Sequence, residues 1–128
     1  MSVTVVLVAD DDDDILLLVT TRLRRDGFEV IAARNGEEAL ALAQERRPDI
    51  AVLDIGMPKL DGLEVLEEIR SDESLKGMLV LLLTAKAQES DVRRGYDAGA
   101  DAYVRKPFSP AELSARVRDL ADSASAGA

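Results

Sequence analysis

Cysteine is absent from the 128-residue chain, which excludes disulfides, thiolate nucleophiles, thiolate-bound zinc and iron–sulfur clusters, although it fixes no compartment. Histidine is absent too, which removes Ser-His-Asp triads, His-ligated metals and any phosphohistidine carried by this chain. Aromatic residues make up only 3%, so the core has to be built from Leu, Val, Ile and Ala. Positive charge is scarce: 16 Lys and Arg against 25 Asp and Glu give a net charge of -9, which repels nucleic-acid phosphates and anionic membranes. No long apolar run opens the chain. Met1 to Val8 runs directly into aspartates, which suits neither a signal peptide nor a membrane span, so the expected location is cytoplasmic.

What is present has the make-up of one ordinary globular domain, 47% hydrophobic and 32% charged. Apolar runs at Val3 to Ala9, Phe28 to Ala32, Ile50 to Leu53, Met78 to Leu83 and Ala102 to Val104 alternate with helix-period stretches. The first and fourth runs are nearly uninterrupted, as expected of central parallel strands covered on both faces; the second and fifth belong nearer the edges. Ile15, Val19 and Leu23, then Leu63, Leu66 and Ile69, then Leu113, Val117, Leu120 and Ala124 form core-facing stripes. A fourth helix rests on Val92 and Tyr96 alone. Asn35 three before Glu38, Asp61 three before Glu64, and Ser109-Pro110-Ala111-Glu112 read as helix starts, while Gly27 and Gly99 read as stops.

These elements predict an α/β fold: a single doubly wound (βα)5 domain with a five-stranded parallel sheet in the flavodoxin-like order 2-1-3-4-5. The domain is expected over residues 3–122, with 123–128 a disordered tail or linker stub. That strand order leaves a crevice at the C-terminal ends of strands 1 and 3, where Asp10, Asp11 and Asp54 fall. Three carboxylates at one spot raise each other's pKa unless a cation intervenes, and Mg2+ suits oxygen ligands of this kind. Asp12, Asp13 and Asp14 read instead as a solvated run favourable at a helix N-terminus. Thr84 and Lys106 end strands on the same side, offering a hydroxyl and an ammonium to a transferring phosphoryl group.

Val8-Ala9-Asp10-Asp11, Leu53-Asp54-Ile55-Gly56-Met57-Pro58 with Asp61-Gly62, Leu83-Thr84-Ala85, and Gly99 through Phe108 together resemble the receiver domain of bacterial response regulators, the CheY-like family. The resemblance implies two-component signal transduction in which Asp54 accepts a phosphoryl group from a sensor histidine kinase. It further implies Mg2+ held by Asp10, Asp11, Asp54 and the Gly56 backbone carbonyl, with Lys106 pairing to the phosphoryl oxygens. Thr84 and Tyr103 would be the switch residues that alter the surface of helix 4, strand 5 and helix 5, and Lys106-Pro107 would be a cis peptide. Such a domain is a phosphoacceptor that assists its own phosphorylation and dephosphorylation rather than an enzyme. An effector domain or downstream protein, and a phosphorylation-dependent homodimer, stay open as partners.

Two departures stand out. Ala102 replaces an acidic residue common in the dimerising members, while Asp97, Asp101, Arg116 and Arg118 still offer charges there, and Asp13 occupies a position where proline is common, away from the chemistry. Lys86 and Gly56 lie at positions expected to influence the lifetime of the phosphate. The nearest rival is a haloacid-dehalogenase-type phosphatase using Asp10 within Asp10-Asp11-Asp12, which leaves Asp54 and the Met57-Pro58 loop without a role. A calcium loop fails because Ile15 and Thr21 stand where Gly and Glu are needed, and a nucleotide-binding module fails for want of a glycine-rich loop. A pseudo-receiver is disfavoured by the complete set of site residues.

Overall fold

In the computed structural model, which describes residues 3–85 and 89–127, strands and helices alternate along the whole chain. They are β1 (Val5–Ala9), α1 (Asp13–Arg25), β2 (Glu29–Ala33), α2 (Gly36–Arg46), β3 (Ile50–Asp54), α3 (Gly62–Ser71), β4 (Leu79–Thr84), α4 (Glu89–Asp97), β5 (Ala102–Arg105) and α5 (Pro110–Gly127). The five strands are parallel in the order β2-β1-β3-β4-β5, so β2 and β5 lie at the edges as the mixed polarity of their sequences predicts.

Strand side chains alternate between two cores because the pleat has period two. Val6 and Val8, Val52, Leu81 and Leu83 meet Leu16, Val19 and Leu23 of α1 and Leu113 and Val117 of α5. Leu7 and Ala9, Leu53, Val80 and Leu82 meet Ala39 and Ala43 of α2 and Leu63, Leu66 and Ile69 of α3. Burial of each such leucine is worth about 1.5–3 kcal/mol. With aromatics nearly absent, these aliphatic layers carry the stability.

The helix punctuation follows local chemistry. Asn35 Oδ1 accepts from the Glu38 N–H at 2.9 Å, and the Ser109 hydroxyl accepts from the Glu112 N–H at 3.0 Å. Asp61 and Glu64 make a reciprocal capping box, with contacts of 2.8 and 3.1 Å. Asp61→Ala is expected to lower the unfolding free energy by about 1 kcal/mol. A urea titration checks this: the midpoint falls while the slope stays that of the wild type. Gly27 and Gly99 sit at φ +99° and +105°, past the ends of α1 and α4.

Helix α5 is drawn as far as Gly127, past residue 123 where the tail is expected to begin. Two expectations need correction. Ala124 is exposed rather than part of the α5 stripe. Tyr96 is 46% exposed, because α4 turns Gly95 to the sheet instead: a Cβ there would lie 2.5 Å from Leu82 Cδ1. The Val92 side chain, the other member expected of that stripe, lies outside the described residues, as do Lys86 and Ala128.

Candidate functional site

Asp10 is the first residue beyond β1, and its N–H still donates to the Ala33 carbonyl at 3.1 Å, which fixes its direction before the chain turns into α1. It is wholly buried. Its Oδ1 accepts from the Asp12 N–H at 2.9 Å. Asp12 in turn caps α1, accepting from the N–H groups of Asp14 at 2.9 Å and Ile15 at 3.2 Å. Asp13 pairs with Arg34 at 2.8 Å on the surface. Asp12, Asp13 and Asp14 are therefore helix-start residues, as a solvated run at a helix N-terminus is expected to be, and only the first two aspartates of the run belong to the crevice.

Asp54 ends β3 opposite Leu83 of β4. The next turn is held tightly: Ile55 N–H donates to the Leu83 carbonyl at 3.0 Å, and α3 begins so close that a Cβ on Gly62 would stand 2.7 Å from the Asp54 carbonyl oxygen. One carboxylate oxygen from each of Asp10, Asp11 and Asp54 lies within 4.8 Å of the others, the one such cluster among the described residues.

Lys106 reaches the same point from beyond β5. Its N–H donates to the Thr84 carbonyl at 2.7 Å, its peptide bond to Pro107 is cis, and its Nζ lies 3.1 Å from Asp10 Oδ2 and 3.3 Å from Asp54 Oδ1. Burial raises the Asp54 pKa, the Asp10 charge raises it further, and the opposing pull of Lys106 and the Gly56 N–H (3.3 Å) leaves it at about 6. Burial works against the Lys106 charge, yet contact with Asp10 and the charges of Asp54 and Asp10 outweigh it, so its pKa is raised.

The donor set fits a hard cation. Asp10 Oδ2 is buried and, although an ammonium lies 3.1 Å away, no donor is aligned to hydrogen-bond it. A buried carboxylate oxygen is thus left without a donor in a cluster whose third member, Asp11, is open to solvent.

Thr84 is fully buried at the end of β4, and its hydroxyl donates to the Ala85 carbonyl at 3.2 Å rather than to Asp54. Tyr103 is half-buried on β5, its ring edge-on to Tyr96 at 5.4 Å between centroids and 79° between planes. Two charges expected on the helix 4–strand 5–helix 5 surface are committed inside the domain. Asp101 accepts from Arg70 at 3.0 Å and from the Val80 N–H at 2.8 Å, while Arg118 donates to the Asp26 carbonyl at 2.8 Å and stacks 4.3 Å over the Phe28 ring. No local spacing signals these pairs.

Residues 6–118 match the family model of the response regulator receiver domain. The chain belongs to this family. The receiver domain is 47% identical over 98 residues to the alkaline phosphatase synthesis transcriptional regulatory protein PhoP of Bacillus subtilis, a match covering 77% of this chain and 40% of PhoP. It thus spans less than half the length of that relative. Among solved structures, the chemotaxis response regulator CheY4 of Vibrio cholerae is 32% identical with a TM-score of 0.87, over 93% of this chain and 99% of that one. A CheY-like receiver domain protein of Methanospirillum hungatei is 30% identical with a TM-score of 0.92, over 99% of this chain and all (100%) of that one. The domain is therefore a module of two-component signalling, and the phosphatase reading built on Asp10 falls away. No described helix is long and apolar enough to cross a membrane.

Proposed function

We infer that Asp54 is the phosphoryl acceptor of this receiver domain, that a sensor histidine kinase is its donor, and that Asp10, Asp11, Asp54 and the Gly56 carbonyl hold Mg2+. The observation that carries this reading is the convergence of the three carboxylates within 4.8 Å around a lysine 3.3 Å from Asp54. Bound there, Mg2+ would supply positive charge against the oxygens of an incoming phosphoryl group.

The chain's own residues supply the rest. An Asp54 carboxylate oxygen attacks phosphorus in line with the departing group. The Lys106 ammonium faces the charge that gathers on the phosphoryl oxygens, and because its pKa is raised it stays protonated. With three carboxylates and one ammonium, the cluster alone carries a charge of about -2, which a divalent cation brings to neutrality; a phosphoryl dianion then enters without net repulsion. Thr84 lies fully buried beside the acceptor strand and is free to turn its hydroxyl from Ala85 toward a modified Asp54. Tyr103 would follow, remaking the surface of α4, β5 and α5. The domain acts as a switch that assists its own modification and its reversal. Its output passes to an effector domain or a downstream protein in the cytoplasm.

Incubation with acetyl phosphate and Mg2+, borohydride trapping and peptide mapping test the assignment. One phosphoryl equivalent, trapped at Asp54 alone, is the expected result. Modification of Asp10, or of any residue outside the cluster, would overturn it.

A further inference from the structure

The loop from β3 to α3 contains Gly56, whose carbonyl is the backbone ligand inferred for the cation, and neighbouring elements hold that loop in place. Ile55 is fixed on both sides, donating to the Leu83 carbonyl at 3.0 Å and accepting from the Gly62 N–H at 3.2 Å. Met57 is buried in the core. Beyond it the chain turns so sharply that the Leu60 N–H donates to the Pro58 carbonyl at 2.9 Å, with Lys59 between them at φ +71°. A γ-turn of this hand is strained, and it persists only where its surroundings impose it. Here the start of α2 imposes it. The Gly36 N–H donates to the same Pro58 carbonyl at 3.4 Å, and a Cβ on Gly36 would stand 1.8 Å from the Leu60 carbonyl oxygen, 2.5 Å from its carbon and 2.6 Å from Leu60 Cβ.

Gly36 is buried and has no positive φ, so its backbone conformation suits any residue and only the lack of space demands glycine. A side chain there would meet backbone, which cannot swing aside as a flexible side chain can, and the loop would have to move. We propose that Gly36 is a positioning residue for the cation site: by admitting the backbone of Leu60 against α2 it seats the γ-turn, and through the turn it holds the stretch that carries the Gly56 carbonyl. The proposal rests on Gly56 being a ligand of Mg2+. That ion demands a near-ideal octahedral shell, whereas the larger Ca2+ accepts more oxygens in a flexible one. A displaced loop therefore harms the two ions unequally, while general damage to the three carboxylates would harm both alike.

Calorimetric titration of the whole domain with Mg2+ and, separately, with Ca2+ tests this. Gly36→Ala is expected to weaken Mg2+ binding about tenfold, the usual effect of disturbing what supports a metal ligand, and Ca2+ binding only about twofold. Gly27→Ala controls for a general loss of stability. At φ +99° it strains the backbone, yet it lies past the end of α1 with nothing within 4 Å of an added Cβ, so both affinities should keep their wild-type values. Circular dichroism establishes that each variant is folded. Should Gly36→Ala not fold, Leu60→Ala takes its place, because it removes a side chain that packs the turn against the core; a selective loss of Mg2+ affinity of about threefold is then expected. Unchanged Mg2+ affinity, or equal losses for the two ions, overturns the proposal. Absence of Mg2+ binding by the wild-type domain would instead overturn the cation assignment itself, so the two failures are told apart.

Discussion

Lys106→Met is expected to slow labelling of the domain by acetyl phosphate about 100-fold at saturating Mg2+, the usual cost of removing one preorganised donor from developing charge. Methionine keeps the length and apolar stem of the lysine and removes only the ammonium that stands 3.1 Å from Asp10 Oδ2 and 3.3 Å from Asp54 Oδ1. An alternative cause of slow labelling would be a damaged cation site, and electrostatics gives that alternative the opposite sign. The lysine competes with a divalent ion for the same carboxylates, so removing it takes the cluster from a charge of about -2 to -3 and should tighten Mg2+ binding roughly tenfold. Calorimetric titration with Mg2+ and intact-mass time courses, run on the same preparation, separate the two. Slower transfer with tighter metal binding places Lys106 on the phosphoryl group. Labelling at the wild-type rate would remove it from the reaction.

The sequence made the site legible because a parallel α/β sheet puts strand ends at one edge. Once β1 and β3 are neighbours, as the doubly wound order expects and their register shows, Asp10 and Asp54 have to meet. Helix starts were legible for a similar reason: Asn35, Asp61 and Ser109 act on N–H groups only three residues away. Features that depend on distant partners were not. The pairing of Arg70 with Asp101 spans 31 residues, and that of Arg118 with Asp26 spans 92, so two of the exposed charges expected on the α4–β5–α5 surface are already paired within the domain. Tyr96 misled because an aromatic at helical spacing looks like core, whereas close approach of α4 to Leu82 selects the side-chain-free Gly95.

Asp54→Asn should stabilise the metal-free domain at pH 8 and leave it almost unchanged near pH 4. Asp54 is 5% exposed and shares its surroundings with Asp10, so its pKa rises from 3.8 to about 6 on folding, burial contributing most. An acid that binds its proton more tightly when folded contributes stability that is fully present below about pH 4 and is lost as pH rises through about 6. At about 1.4 kcal/mol per tenfold change in proton affinity, the full loss is roughly 3 kcal/mol. Asparagine cannot ionise and avoids that loss, so the difference between variant and wild type grows with pH across this window; titrating groups outside the Asp10–Asp54–Lys106 cluster are common to both and cancel. Urea denaturation in EDTA at a series of pH values measures it. Added Mg2+ should shrink the gap at pH 8, because a bound cation stabilises the folded wild type with its carboxylate ionised. A gap that stays constant from pH 4 to 8 would mean that the Asp54 carboxylate is not held in the buried, like-charged surroundings from which a cation site follows.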